Sequence, residues 1–386
     1  MRALAIAFMV LCHVPIFTAT PGGGNYPWLY FFANHIVGDF AAAIFLFLVG
    51  TSQAVSMSRS NPGSSIRKGL TRGGAIFMIG LLLSCAIRGP KMLFEWDILP
   101  LIGTSLILLP FTRHWKVGTF ILVSISIAAL APGLRGLTDH AAQWGGRYEQ
   151  VPAFSDVFPR LLFDPVADYT PPPGFLAALR GFFLIGTFPF LPWGAFPLIG
   201  YAVGLKLVCD KERRLALPFL LCGTACALAG LAAALAGRAL QPASWLGWYA
   251  AVFSFYPLTT SLFLLQLGVI FLIFAPLRRW LDASAATGAL MTALQRLSRY
   301  ALSIYVTHLV LIYWPLWIAG WLAGEPARYQ QNALSTPAAL ALAAGFLLAM
   351  WPLLALWDRI GGRYSLEWFL NQILLHLQRG KTKPSA

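Results

Sequence analysis

Apolar residues run along this chain in long unbroken blocks, without the polar stripe that a water-facing helix shows. The blocks fall at 2–19, 36–57, 68–87, 98–111, 117–134, 182–207, 215–236, 256–274, 297–318 and 337–357. A helix of about 20 such residues crosses the hydrocarbon core of a bilayer. Polar residues gather between the blocks, and Lys and Arg favour alternate connections. One set is Arg59, Arg67, Lys68 and Arg72, followed by Arg113 and Lys116, then Lys206, Lys211, Arg213 and Arg214. Arg278, Arg279, Arg296 and Arg299 come next, then Arg359, Arg363, Arg379, Lys381 and Lys383 in the tail. Positive charge marks the cytoplasmic side. The pattern therefore predicts an all-α polytopic membrane bundle of about ten helices, a single transmembrane domain over 1–386 with both termini cytoplasmic. The longest connection, 136–180, falls outside as a cap or an acceptor-binding lid, and the tail at 359–386 lays a short amphipathic segment on the inner membrane surface.

Composition sharpens this. Of 386 residues, 58% are hydrophobic and 11% charged, where a soluble domain carries about 25% charged residues. The mean hydropathy is +0.69. The net charge of +14 belongs to loops, not to a basic face interleaved with aromatics, so it signals topology and no nucleic-acid partner. Cys12, Cys85, Cys209, Cys222 and Cys226 all lie in or beside apolar blocks and read as buried thiols. The Cys222/Cys226 pair leaves a redox or metal role as the alternative. No small-residue cleavage site follows the first block, so a removable signal peptide is not expected. Neither a nucleotide-binding glycine loop nor metal-ligand spacing occurs, and no metal is expected.

Ionisable residues within spans are costly, on the order of 3 kcal/mol by insertion scales, and are functional candidates for that reason. Arg2 and His13 stand eleven residues apart, which places them within about 20° of one helix face with about 16 Å of rise between them. Arg2 at the cytoplasmic end can grip a phosphate through its planar fork, while His13 lies beyond the midplane. A donor held inside by its phosphates and reacting at its far tip fits that spacing; the alternatives are a charge anchor and a packed polar residue. His35 and Asp39, four apart, share a face near the outer end of the second span, and a carboxylate beside an imidazole fixes its tautomer and raises its basicity. Asp39 is equally a helix N-terminal acid. In the ninth span His308 is flanked by Tyr305 and Thr307. The sixth contains Phe188-Pro189-Phe190-Leu191-Pro192-Trp193-Gly194, whose prolines break the helix beside a pocket or merely kink it.

These residues resemble a known group. Arg2 and His13 match the Arg-x10-His signature of the acyltransferase-3 family. Asp39-Phe40-Ala41-Ala42-Ala43-Ile44-Phe45-Leu46-Phe47-Leu48-Val49-Gly50-Thr51-Ser52 resembles the second helix of the heparan-alpha-glucosaminide N-acetyltransferase family. Arg72-Gly73 at the start of the third span, Trp96-Asp97-Ile98-Leu99 with Ile102-Gly103, and Leu191-Pro192-Trp193 with Gly200 follow in order. Leu297-Ser298-Arg299-Tyr300-Ala301-Leu302-Ser303-Ile304-Tyr305 resembles the late helix of these acyltransferases.

The resemblance implies a transmembrane acyltransferase in the cell (inner) membrane. It would take an acyl group, usually acetyl, from cytoplasmic acyl-CoA to a hydroxyl or amine of an extracytoplasmic glycan or glycolipid. By position, Arg2 and Arg72 bind the donor, while His13, Asp39 and His35 are the catalytic candidates. Trp193, Tyr305 and His308 are candidates for the substrate pocket. The eukaryotic members carry their catalytic histidine between the first two helices, where His35 is the one histidine, although it stands closer to Asp39 than in that pattern. The family's acidic residue before the signature arginine is replaced by Met1, and its following glycine by Ala3. The partners implied are acyl-CoA, a carbohydrate acceptor and the bilayer, with a homodimer as a compatible assembly. A proton-coupled transporter or flippase is the alternative, since ionisable residues and a broken helix serve a carrier too, although no inverted repeat is visible.

Overall fold

A computed structural model describes residues 1–20, 23–138, 144–145, 168–169, 174–209, 215–240, 245–283, 288–325 and 333–379. Among these, eight helices are long and apolar enough to cross a membrane: α2 (Pro27–Ser58), α3 (Pro62–Arg88), α5 (Val117–Gly136), α6 (Phe175–Cys209), α7 (Ala216–Gly237), α8 (Thr260–Ala283), α10 (Ala301–Leu322) and α11 (Thr336–Arg359). Two shorter apolar helices, α1 (Arg2–Thr18) and α4 (Ile98–Thr112), complete the ten expected blocks. Amphipathic α9 (Ala289–Arg299) and α12 (Leu366–Arg379) stand apart from them. The chain is a polytopic helical membrane protein. Most of the 136–180 connection lies outside the described residues; within it Trp144–Gly145 pairs antiparallel with Asp168–Tyr169.

Several boundaries differ from the sequence reading, each for a local reason. The second helix opens at Pro27, a residue suited to the first helical position, so His35 and Asp39 lie inside it. Phe32–Gly38 is a π-helical stretch, the kind of insertion that often accompanies a functional site. The third helix opens at Pro62, which puts Arg72 within the helix and not at its start. The ninth block divides at Tyr300, where α9 ends and α10 begins. Of the cysteines only Cys12 is buried, Cys209 and Cys222 are exposed, and all five are free thiols.

The helices form two compact units, Met1–Ala41 with Gly63–Ala75 and Ala285–Ala386, and Ala42–Pro62 with Ile76–Ser284. In the first, α1 is central: it packs on the π-helical stretch and on α9, α10 and α11, burying Ala5, Ile6 and Val10 completely. Gly38 allows the closest approach, because a Cβ there would overlap Cys12 Sγ. Asp358, at the end of α11, accepts bonds from Arg296 at 2.8 Å, Arg299 at 2.9 Å and the Tyr300 hydroxyl at 2.8 Å. Burial, then the Asp358 carboxylate, push the Tyr300 phenol above its ordinary range.

In the second unit small residues bring backbones together, the usual device where lipid removes the hydrophobic drive between helices. A Cβ at Gly50 would overlap the carbonyl of Pro197, and one at Gly200 the carbonyl of Phe47. Thr51 Oγ1 donates across that seam to the Gly200 carbonyl at 3.0 Å. The α7–α8 contact is built alike, with Gly223, Gly230 and Gly268 each against partner backbone.

Candidate functional site

Seven of the eight residues singled out in the sequence belong to the first unit; Trp193 belongs to the second. Arg2 and His13 both lie on the uninterrupted part of α1, before Pro15, so their shared face is a property of a regular helix. Arg2 and Arg72 are near enough for their like charges to interact, and Arg72 also feels the carboxylate of Glu367. That acid is largely spent on another task. It accepts the Leu302 and Ser303 amide N–H groups at 2.7 and 3.1 Å, together with the Ser303 hydroxyl, and so caps the start of α10. Two guanidinium groups close enough for their charges to interact, with one acid already committed, are chemically suited to a phosphorylated ligand.

At the other end of α1, His13 Nδ1 stands 3.1 Å from His308 Nε2, with the rings nearly parallel at an interplanar angle of 19°. His308 Nδ1 stands 3.1 Å from the carbonyl oxygen of Ile304, one turn back. A carbonyl can only accept, so the proton of neutral His308 sits on Nδ1 and its Nε2 carries the lone pair. His13 must then donate from Nδ1. Its own Nε2 is left with the lone pair, which is the state a general base needs. Tyr305 packs edge-on against His308 with centroids 5.7 Å apart, and Phe17 tilts against His13 at 5.6 Å. The structure thus brings together His13, His308 and Tyr305, which the sequence offered as separate candidates.

A second imidazole is prepared in the same way. His35 Nδ1 donates to Asp39 Oδ2 at 3.2 Å, and its ring tilts against Phe31 at 5.1 Å. Asp39 is buried and His35 half-buried. Asn34, next to His35 in the chain and buried, accepts the Cys12 thiol on Oδ1 at 3.7 Å. Its Nδ2 has no acceptor among the described residues. Glu367 and Asn34 are the site residues that sequence reasoning missed. A lone acid in a basic tail and an amide beside a histidine carry no periodic or spacing signal.

A comparison with protein families matches residues 1–235 to the heparan-alpha-glucosaminide N-acetyltransferase catalytic family. The chain belongs to that family. The matched segment contains Arg2, His13, His35, Asp39, Arg72 and Trp193, while Tyr305, His308 and Glu367 lie beyond it. No curated protein and no solved structure matches the chain. The family and the apolar helices together make this a multi-pass membrane protein of an acetyltransferase family. No group of three or more His, Cys, Asp or Glu side chains able to hold a metal occurs among the described residues.

Proposed function

We propose that this protein moves an acetyl group from cytoplasmic acetyl-CoA to a hydroxyl or amine of an extracytoplasmic glycan or glycolipid, in the inner membrane of the cell. The observation that carries the reading is the arrangement along α1. Two arginines whose charges interact stand at one end, and a histidine bonded to a second histidine stands about 16 Å of helix rise away. Alternating Lys and Arg place the arginines on the cytoplasmic side and His13 toward the outside.

In this mechanism Arg2 and Arg72 hold donor phosphates and set the thioester in the groove. His13 Nε2 takes the proton from the acceptor oxygen or nitrogen, which attacks the thioester carbonyl. The C–S bond then breaks, the acetyl group stays on the acceptor, and the CoA thiolate leaves with the proton returned by the imidazolium. His308 and Tyr305 orient the base, and His35 with Asp39 forms a second polar pair near the acceptor side. Base catalysis of this kind is worth about 100- to 10,000-fold. The family's name supplies the first acceptor to try, the amine of a terminal alpha-glucosaminide.

The test uses the purified full chain in nanodiscs with acetyl-labelled acetyl-CoA. Label appearing on an alpha-glucosaminide or on an extracted membrane glycan, with one CoA released per acetyl moved, supports the proposal. A protein that binds no acetyl-CoA but carries a solute against a proton gradient is the carrier instead.

A further inference from the structure

In the second unit the sixth helix is broken. After the π-helical turn Gly181–Ile185 the chain runs non-helically to Phe190, and three buried hydrogen-bond donors with no acceptor among the described residues stand along this break. Arg135, in the last turn of α5, donates from Nε to the Leu184 carbonyl at 3.4 Å and from Nη1 to the Leu258 carbonyl at 3.1 Å. These two bonds pin a guanidinium that is only 6% exposed. Its Nη2 has no partner among the described residues. Trp96 and Trp193, 7% and 0% exposed, likewise leave their indole Nε1–H groups without an acceptor.

The three residues meet the same short segment. The Trp96 carbonyl accepts the Phe188 amide N–H at 2.9 Å, and Trp193 packs on the Phe188 ring at 5.0 Å. Leu184, four residues before Phe188, takes the Arg135 bond. Trp96 holds this place at a φ of 60°, a left-handed conformation that a bulky side chain rarely adopts and that tends to mark functional sites. Glu95 is buried beside it and takes the Thr187 N–H on its main-chain carbonyl at 3.1 Å. Among the described residues, the hydrogen-bond partners of Arg135 are the two carbonyls.

A buried cation with no counter-charge among the described residues calls for an anion, and buried N–H groups call for oxygen acceptors. Aromatic rings also pack around the break. Phe182 packs on Trp96 at 5.0 Å and Tyr256 on Phe188 at 5.7 Å, flat surfaces on which the apolar face of a ring or chain can lie. The cover is thin, since Phe183 is exposed and Phe182, Thr187 and Tyr256 are half-buried.

We propose that the break in α6 forms an oxyanion-binding site in which Arg135, Trp96 and Trp193 hold the carboxylate of an acidic sugar or the phosphate of a lipid headgroup. The site lies at the α5 end that the charge pattern assigns to the outside. It stands independently of the acetyltransferase reading, because binding here involves no acyl-CoA.

The experiment measures saturable binding of labelled glucuronate, and separately of labelled short-chain phosphatidylglycerol, to the full chain in phosphatidylcholine nanodiscs. At least one anion should bind, and neutral glucose should not displace it. Arg135→Gln should weaken that binding at least tenfold, with Arg135→Lys intermediate. Trp96→Phe and Trp193→Phe, which delete only an indole N–H, should each weaken it several-fold and serve as the test if Arg135→Gln does not fold. Which anion binds identifies the source of the oxyanion. No saturable binding of either, equal competition by glucose, or folded variants that bind as wild type would overturn the proposal and leave the donors hydrated.

Discussion

Replacing His308 by Phe isolates the contact on which the assignment of His13 rests. Phe preserves an aromatic ring beside Tyr305 and Phe346 but offers no lone pair to the His13 Nδ1–H, 3.1 Å away. The half-buried Nδ1–H must then turn to another acceptor or pass its proton to Nε2, which removes the base. A neutral hydrogen bond of this kind contributes about 1 to 1.5 kcal/mol, and about 1.4 kcal/mol is tenfold in rate. Transfer in single-turnover experiments should fall about tenfold in His308→Phe, with the acetyl-CoA Kd unchanged. His308→Gln, whose amide oxygen can accept the same proton, should stay within about threefold of wild type by the same arithmetic. Because the two rings act as one unit, His13→Ala with His308→Phe should be no slower than His13→Ala alone. A Phe variant as fast as wild type, a Gln variant as slow as Phe, or additive losses would refute the tautomer argument.

Other expectations address the donor, the packing and the topology. Arg2→Ala should raise the acetyl-CoA Kd about 10- to 100-fold, the range of a charge-assisted bond, and lower kcat much less. Arg2→Lys should rescue it only in part, since an ammonium lacks the fork; calorimetry showing an unchanged Kd would remove Arg2 from the donor site. Gly200→Ala forces a Cβ into the Phe47 carbonyl and should cost about 1 to 3 kcal/mol or more, read as a lower melting temperature. Gly74→Ala, where nothing lies within 4 Å, should melt at or above wild type, and equal melting of both variants would contradict the close-approach account. Cysteine-labelling or reporter fusions should find the tail after Arg379 in the cytoplasm and residues 136–180 outside, and the reverse would overturn the sidedness of the mechanism.

All ten apolar blocks were visible in the sequence because a membrane span is written as length and hydropathy, two quantities that neighbours barely alter. Arg2 and His13 were legible for a related reason, since both lie within one regular helix where spacing alone fixes the face. The contacts that give them meaning were not. His308 lies 295 residues from His13, and only the packing of α10 against α1 makes it an acceptor. Glu367 reaches the start of α10 from α12, a tertiary contact that no local pattern encodes. The π-helical stretch at Phe32–Gly38 was missed because it adds a residue to a helix without changing its apolar character, so His35 and Asp39 seemed to open a span they lie within. No pattern in the sequence singles out Arg135, and its place is set only by the carbonyls of Leu184 and Leu258.

The central claim is that His13 is the base, and the direct measurement is acetyl transfer by His13→Ala and His35→Ala, made side by side in protein shown to be folded and to bind acetyl-CoA. The account predicts that His13→Ala loses about 100- to 10,000-fold with donor binding retained, while His35→Ala and Asp39→Asn lose less. Transfer near wild type in His13→Ala together with its loss in His35→Ala would contradict it. The role of base would then move to the imidazole on the π-helical turn, and His13 would be a packed polar residue.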